Sequence, residues 1–318
     1  MATMGLAAGY QNLPTGNWAP AIYSQKVLKF FRRASVVEAI TNTDYTGEIE
    51  NFGDTVNILK EPSITVASYS RGQTVNTQTL ADDQMQLTID QGNYFAFKVD
   101  DIEERQSHVN WEALATSSGA YTLKKAYDYN VLKNMYDNAV ASTGTLGTQA
   151  TSANTGDEVA NLVAQAAAEL DKNDVPEENR WLVAPPQFYE VLRQAGSKIM
   201  DASVTGSGSP LLNGRVTDRP LHGFDLYQSN AIAVGSTGTA ATHTFGSSST
   251  SGQTAILYGH MSGVATASHI AKTEVIRDPD SFSDIVRGLH VFGRKVLRGE
   301  TTTGFKGVFK GLMDLDSN

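Results

Sequence analysis

The residue types that most often carry catalysis or bind metals are sparse in this sequence. It contains no cysteine, which excludes disulfide bonds, thiol nucleophiles, iron–sulfur clusters and cysteine-based zinc sites. Its six histidines are scattered and form no close pair in the sequence: His108, His222, His243, His260, His269 and His290. We interpret each of them as a surface or capping residue rather than as a metal ligand.

The sequence motifs of common enzyme classes are also missing. There is no Walker A phosphate loop, no G-x-G-x-x-G dinucleotide motif, no H-E-x-x-H zinc motif and no G-x-S-x-G nucleophile elbow. The segment Gly259-His260-Met261-Ser262-Gly263 approaches an elbow but has the wrong spacing. We therefore predict no catalytic residue, no metal site and no cofactor.

One acidic run, from Asp278 to Asp284, begins like a calcium-binding loop. Phe282 stands at the fifth position, Ser283 replaces the glycine that such a loop requires, and Leu289 stands where a bidentate glutamate belongs. A calcium site of this type is therefore not expected. The Asp-Pro start instead predicts a turn between two strands.

The charge is unevenly distributed along the chain. The net charge is −9, yet residues 1–37 carry no acidic residue and four basic ones, so the remaining chain carries −13. The four basic residues are Lys26, Lys29, Arg32 and Arg33. Pro20 can open a helix that reaches about Val37. This segment is either a basic arm on an acidic body or an ordinary amphipathic helix with a solvated face.

Composition places the chain among globular proteins. It has 318 residues, of which 40% are hydrophobic and 19% are charged, enough for one large or two ordinary domains. No apolar run is long enough to cross a bilayer, and the N-terminus lacks the basic start of a secretory signal.

A long stretch from Gly47 to Asp100 has the alternation of β-structure. Residues 55–58 and 64–68 alternate, Arg71-Gly72-Gln73 is typical of a turn, and residues 85–89 and 95–99 form two further runs. Between the turn and the run at 85–89, residues 74–83 are almost wholly polar. Such a hairpin cannot bury a face of its own and needs a neighbouring surface, which belongs either to the same chain or to another subunit.

Helical and strand patterns alternate through the rest of the chain, which predicts an α+β fold. Two rows of apolar residues predict a long helix over residues 107–140, whose length of roughly 50 Å suits a structural spine. The later predictions are a linker over 143–156, a helix over 157–172, a buried strand over 180–184, a helix from Pro186, flexible insertions at 206–209 and 235–254, and β-runs from 256 to 309.

The order of these elements resembles the major capsid protein of tailed bacteriophages, which has the Hong Kong 97-type fold. Six segments carry the resemblance: 53–58; 78–80 with 87–90 and 95–101; the helix 107–140; 179–185 with Phe188-Tyr189; 212–214 with 223–230; and 282–284 with 288–290 and Gly293. Each is a weak match by itself, but all six follow the family's order.

The resemblance implies an α+β Hong Kong 97-type subunit with five segments. These are an N-terminal arm (1–46), an extended β-hairpin loop (47–92), a peripheral domain with the spine helix (93–145), an axial domain (146–262) and return strands with a C-terminal tail (263–318). The loop is expected to contact a neighbouring subunit through eight residues: Thr55, Ile58, Ile64, Val66, Tyr69, Arg71, Gln73 and Gln78.

The function implied is a structural protein that assembles through pentamers and hexamers into an icosahedral shell around double-stranded DNA. Expected partners are other copies of the chain, a scaffolding protein, a portal, decoration proteins and, through weak non-specific contact, the packaged DNA, with no membrane. The expected location is the virion, after assembly in the host bacterial cytoplasm. The four basic residues of the arm are expected to face the DNA.

Two details refine this expectation. The chain begins with Met1-Ala2 and shows no long coiled-coil leader, so we expect a separate scaffolding protein. No lysine–asparagine pair for covalent cross-linking is identified, so we expect non-covalent assembly. Two alternatives remain at this point: a nanocompartment shell of the same fold that holds enzyme cargo, and a soluble α+β enzyme.

Overall fold

The computed structural model describes most of the chain, in twelve stretches. These are residues 35–45, 54–59, 64–75, 77–79, 84–100, 111–143, 146, 156–193, 221–232, 253–279, 281–299 and 306–314. The predicted helix from Pro20 lies outside them except for its last residues, as do most of the two predicted insertions and the acidic residues 101–104.

Four α-helices are present in the described residues: α1 (Val37–Ile40), α2 (Trp111–Asn138), α3 (Gly156–Lys172) and α4 (Pro186–Leu192). The predicted helices at 107–140, 157–172 and Pro186 are confirmed, with the first ending at Asn138. Pro186 opens α4 because its fixed φ suits the first helical position. No helix among these four is long and apolar enough to span a membrane.

Nine strands form two sheets in the same residues. They are β1 (Thr55–Leu59), β2 (Gln84–Asp100), β3 (Val140–Ala141), β4 (Arg180–Ala184), β5 (Phe224–Gln228), β6 (Gln253–His260), β7 (Val264–Arg277), β8 (Ser283–Val296) and β9 (Val308–Asp314). One sheet has the order β1-β2-β8-β7, and the other has the order β3-β9-β6-β4-β5. The last strand, β9, therefore lies in the second sheet beside β6, whereas the expected segment 263–318 groups it with the return strands and the C-terminal tail.

The five-stranded sheet is covered on both faces. Every residue of β4 is buried, which confirms the predicted buried strand. Leu182 packs on one side with α3 and α4, in a cluster that includes Val163 and Phe188. Trp181 and Val183 pack on the other side. Residues 181–184 are all apolar because neither face of the strand meets water.

A shared core joins the two sheets. Val131 and Met135 of α2 pack in one cluster with Trp181 of the five-stranded sheet and with Phe292 and Val296 of the four-stranded sheet. All five side chains are almost fully buried. The long helix therefore acts as the structural spine that the sequence predicts, since one of its faces holds both sheets.

The strand β2 runs without a break through two segments that the sequence treats as separate runs. Its pairing with β8 shifts between Ile89 and Gln91, so one extra residue lies on β2. Ile89 before the shift packs beside Val291, whereas Phe95 after it faces Gly119 of α2. Such a bulge moves odd-numbered side chains from one face of the sheet to the other.

The end of the predicted N-terminal arm packs on the body of its own subunit. Thr41 Oγ1 hydrogen-bonds Thr266 Oγ1 at 2.9 Å, and the backbone of Asn42 pairs with β7. Ser35 Oγ donates to Asp128 of α2 at 2.6 Å. These bonds fix residues 35–45 across the spine helix and β7.

Candidate assembly surfaces

The extended loop begins as a short two-stranded ribbon anchored to its own subunit. Strand β1 pairs antiparallel with β2, from Thr55 opposite Thr88 to Leu59 opposite Gln84. At this base Leu87 is buried, and Val56 and Ile58 pack against the same small core. The base of the loop is therefore held by hydrophobic contacts within its own chain.

Beyond Leu59 the loop leaves the sheet. Residues 64–75 and 77–79 are all exposed and form no strand, so the predicted strand over 64–68 is wrong. The two arms are joined by a side-chain hydrogen bond instead, in which the Thr65 N–H donates to Gln78 Oε1 at 3.0 Å. A ladder without a covered face has too little apolar contact to hold regular pairing.

The tip of the loop is a tight turn, as predicted from Arg71-Gly72-Gln73. The Gln73 N–H donates to the Ser70 carbonyl at 3.0 Å, and the Ser70 N–H donates to Gln73 Oε1 at 3.1 Å. Gly72 has φ of +90°, a conformation that favours glycine. The turn therefore fixes the orientation of Arg71 relative to the two arms.

Large apolar side chains project from this loop into solvent. Their exposed fractions are 73% for Leu59, 71% for Ile64, 92% for Val66, 67% for Tyr69 and 73% for Val75. Clustered exposed apolar residues usually mark a surface that another molecule covers. All five of these residues lie between positions 59 and 75 of the sequence.

The predicted contact residues divide into two groups. Seven of the eight are exposed: Thr55, Ile64, Val66, Tyr69, Arg71, Gln73 and Gln78. Ile58 differs, because it is half-buried and packs within its own chain. Whether any of them contacts a neighbour stays a prediction. The four basic arm residues, Lys26, Lys29, Arg32 and Arg33, lie outside the described residues.

A second feature is a cleft of about 480 Å³ between α2 and the four-stranded sheet. Leu123 and Tyr127 of α2 form one wall, Phe95 and His290 lie on the sheet side, and the backbone at Gly288 contributes to the lining. At the rim, Lys124 Nζ pairs with Glu38 Oε2 at 3.0 Å. The cleft is thus mainly apolar with a charged rim.

Two titratable rings meet in this cleft. Tyr127 and His290 are in edge-to-face contact with centroids 5.5 Å apart. Burial lowers the pKa of His290, and the nearby His269 lowers it further. Burial also raises the pKa of Tyr127, partly offset by a hydrogen bond to Thr266. Both rings are therefore uncharged near neutral pH.

The interpretation of the histidines as surface or capping residues holds for His260, but it does not predict that two other histidines are neighbours. His260 Nδ1 accepts from the Ser262 N–H at 3.1 Å and caps a short turn, as a capping residue should. His269 and His290, however, lie near each other on the paired strands β7 and β8. The register makes them diagonal neighbours, with His269 opposite Val291 and His290 opposite Ile270, which sequence spacing does not reveal. Among the described residues no group of three or more acidic or histidine side chains is arranged to hold a metal.

A turn joins β7 to β8 at one end of the four-stranded sheet. The prediction of a turn at 278–284 is confirmed. The Asp278 N–H donates to the Ser283 carbonyl at 3.0 Å, and Asp278 also pairs with Lys98 of β2. Arg277 pairs with Asp284 at 3.1 Å. These contacts hold Phe282 in a position where 79% of its side chain is exposed.

Comparison with known proteins assigns the chain to a family. A family model described as phage capsid protein matches residues 83–310. A solved structure from Mycobacterium phage Che8 is 28% identical, with 94% of this chain and 98% of that chain covered and a TM-score of 0.76. No curated protein sequence gave a match.

More distant structures share the fold. The capsid structure of cyanophage P-SCSP1u is 17% identical, covers 96% of this chain and 95% of its own, and has a TM-score of 0.68. The acidic stable capsid of Helicobacter pylori bacteriophage KHP30 is 9% identical, with 99% and 100% covered and a TM-score of 0.64. The chain belongs to the phage capsid protein family and is a structural protein of the virion shell, with the Hong Kong 97-type α+β fold.

Proposed function

We propose that copies of this chain assemble through pentamers and hexamers into an icosahedral shell that encloses double-stranded DNA. The observation that carries the proposal is the projecting loop of a capsid-family chain, which exposes Ile64, Val66, Tyr69 and Val75 to solvent. Closed symmetry lets every subunit cover such a surface with an identical neighbour. Catalytic activity and cofactors have no part in this function.

The extended loop is proposed to lie over the peripheral domain of a neighbouring subunit. Its base is fixed by the small core around Leu87, so the exposed arms extend from a rigid support. The twelve peptide units from Leu59 to Arg71 reach at most about 40 Å when fully extended, and the loop is proposed to use this reach to contact the neighbour. Contacts with Val66 and Tyr69 would then remove apolar surface from water.

The five segments predicted from the sequence are proposed as the working division of the subunit, with one amendment. Strand β9 pairs with β6, so residues 308–314 go with the axial sheet rather than with the peripheral return strands. The arm 1–46 is proposed to bind adjacent subunits. The axial domain 146–262 is proposed to pack around the centre of each capsomer.

The charge distribution supports DNA as the content of the shell. The chain after residue 37 carries a net charge of −13, and an acidic wall does not trap densely packed DNA. The basic residues Lys26, Lys29, Arg32 and Arg33 are proposed to face the interior and make weak contacts with the phosphate backbone. A separate scaffolding protein, a portal and decoration proteins are proposed partners, and assembly is proposed to take place in the host bacterial cytoplasm.

Electron microscopy and sedimentation of the expressed full chain test the proposal. Closed shells, or pentamers and hexamers, are the expected products. A stable monomer or dimer at high protein concentration would contradict assembly. Shells purified from infected host cells should contain double-stranded DNA, whereas an enzyme packaged in its place would contradict the proposed content.

A further inference from the structure

We propose that the cleft between α2 and the four-stranded sheet receives Tyr69 from the loop of a neighbouring copy. This inference rests on the proposed assembly function and specifies which surface the loop binds. The cleft is defined here by Phe95, Leu123 and Tyr127 as its apolar and aromatic lining and by Glu38 and Lys124 as its rim.

The loop presents Tyr69 in a suitable way. Its side chain is 67% exposed, so it does not occupy the cleft of its own subunit. It immediately precedes the hydrogen-bonded turn from Ser70 to Gln73, which limits the conformations of the tip. Tyrosine loses little side-chain entropy on binding and offers an apolar ring with a polar end, which makes it a common anchor at interfaces.

The cleft has the matching combination of groups. Phe95 and Leu123 supply an apolar lining, and the ring of Phe95 lies over Gly288 on the sheet side of the cleft. His290 is in the lining, and within the described part of the chain its Nδ1 atom has no hydrogen-bond partner. A neutral imidazole can accept a hydrogen bond from a hydroxyl or donate one to it. An aromatic ring that carries a hydroxyl therefore suits this cleft better than a purely apolar side chain does.

Charge at the rim favours the same arrangement. Arg71 is the one charged residue in the sequence from 64 to 75. Glu38, whose side chain is 63% exposed, already pairs with Lys124 and still presents much of its carboxylate to solvent. With Tyr69 in the cleft, Arg71 two residues away is within reach of Glu38. An opposite charge at the rim fixes register more than it adds affinity.

The absence of cysteine from the chain allows a direct test by disulfide trapping. One chain carries Tyr69→Cys in the loop, and a second carries Ala120→Cys, an exposed position of α2 that lines the cleft. The two chains are co-assembled, oxidised and separated on a denaturing gel. A matched control replaces the second chain with Ala96→Cys, which is exposed on strand β2 and faces away from α2.

Loss of most of the monomer band into covalent dimers is expected with Ala120→Cys and not with Ala96→Cys. If loss of the tyrosine ring prevents assembly, the pair Arg71→Cys with Thr116→Cys keeps Tyr69 and places cysteines beside the same cleft. Assembled shells that give no dimers with either cleft pair would overturn the inference. Dimers with Ala96→Cys alone would overturn it while leaving loop-mediated assembly intact. If the unmodified chain forms no shells or capsomers, the proposed function itself fails.

Discussion

The ring of Phe95 fills the space that a side chain on Gly288 would need. A Cβ atom at Gly288 would lie 2.5 Å from Cε1 and 2.8 Å from Cζ of that ring. The two residues are directly opposite each other on β2 and β8. On its other side the ring meets Gly119 of α2, where a Cβ atom would lie 3.0 Å from Cγ. Two glycines therefore let one aromatic ring lie between the helix and the sheet.

Replacing Gly288 with alanine is expected to lower the free energy of unfolding of the unassembled subunit by about 1–3 kcal/mol, the usual cost of overpacking. The ring cannot move away easily because Gly119 limits it on the helix side. Urea titration of the soluble subunit measures the change. Gly92→Ala is the matched control, since its Cβ would be 3.8 Å from the nearest side chain. Equal effects of the two substitutions would contradict this account.

The elements that the sequence predicts well are those determined by local pattern. The helix Gly156–Lys172 has acidic residues in its first turn and a lysine in its last, and Pro186 marks the start of the next helix. In the strand Arg180–Ala184 the four residues after the arginine form an apolar run that ends at Pro185. In each case the information lies within a few residues, so one sequence is sufficient.

The features that the sequence misses depend on partners far away in the chain. The bulge near Asp90 is set by pairing with β8, some two hundred residues later. The strand predicted at 64–68 does not form because no sheet covers it, which alternation alone cannot reveal. The cleft and the approach of His269 to His290 likewise require the register of β7 on β8. The exposure of seven of the eight contact candidates agrees with the polar composition of residues 74–83, which favours an uncovered hairpin, and their contact with a neighbour stays a prediction.

A buried carboxylate provides a second test of stability. Glu169 of α3 accepts hydrogen bonds from Ser142 Oγ at 2.5 Å, Thr143 N at 2.8 Å and Tyr258 OH at 2.5 Å. It thereby ties the segment after the spine helix to the five-stranded sheet. Glu169→Ala is expected to lower the free energy of unfolding by about 3 kcal/mol, because it leaves buried donors without a charged acceptor. Chemical unfolding measures the loss.

The control for this prediction is Glu190→Ala, which removes an exposed glutamate from α4. Surface changes of this kind normally alter stability by no more than about 0.5 kcal/mol. Tyr258→Phe should be intermediate, since it removes one donor and leaves the carboxylate bonded to Ser142 and Thr143. If Glu169→Ala proves as mild as Glu190→Ala, the network does not hold the two regions together.

The histidine in the cleft predicts a dependence of stability on pH. Burial, helped by His269, lowers the pKa of His290 below its ordinary value of 6.5. Below that pH the unfolded chain binds the proton more readily than the folded chain does, so the free energy of unfolding falls as pH falls through the folded-state pKa. Well above pH 6.5 both states are neutral at this position, so it contributes no slope there.

His290→Gln is therefore expected to reduce the loss of stability on acidification below pH 6.5, whatever its effect at neutral pH. The measurement is the midpoint of urea unfolding of the soluble subunit at a series of pH values. His222→Asn serves as the control, because His222 is exposed and asparagine tolerates its positive φ. An unchanged pH slope in His290→Gln would show that this ring does not titrate in the expected way.

The exposed loop separates subunit stability from assembly. Val66 and Val75 are 92% and 73% exposed, so replacing both with serine should change the free energy of unfolding of the subunit by no more than about 0.5 kcal/mol for each. If a neighbour covers the two valines in the shell, each substitution removes about 1.5 kcal/mol or more of binding free energy at every interface. Sedimentation at several protein concentrations should then show a marked shift to unassembled subunits.

Thr79→Ser, in the same exposed loop, should assemble normally. Unimpaired assembly of the double variant would mean that the two valines stay in solvent within the shell and that other surfaces join the subunits.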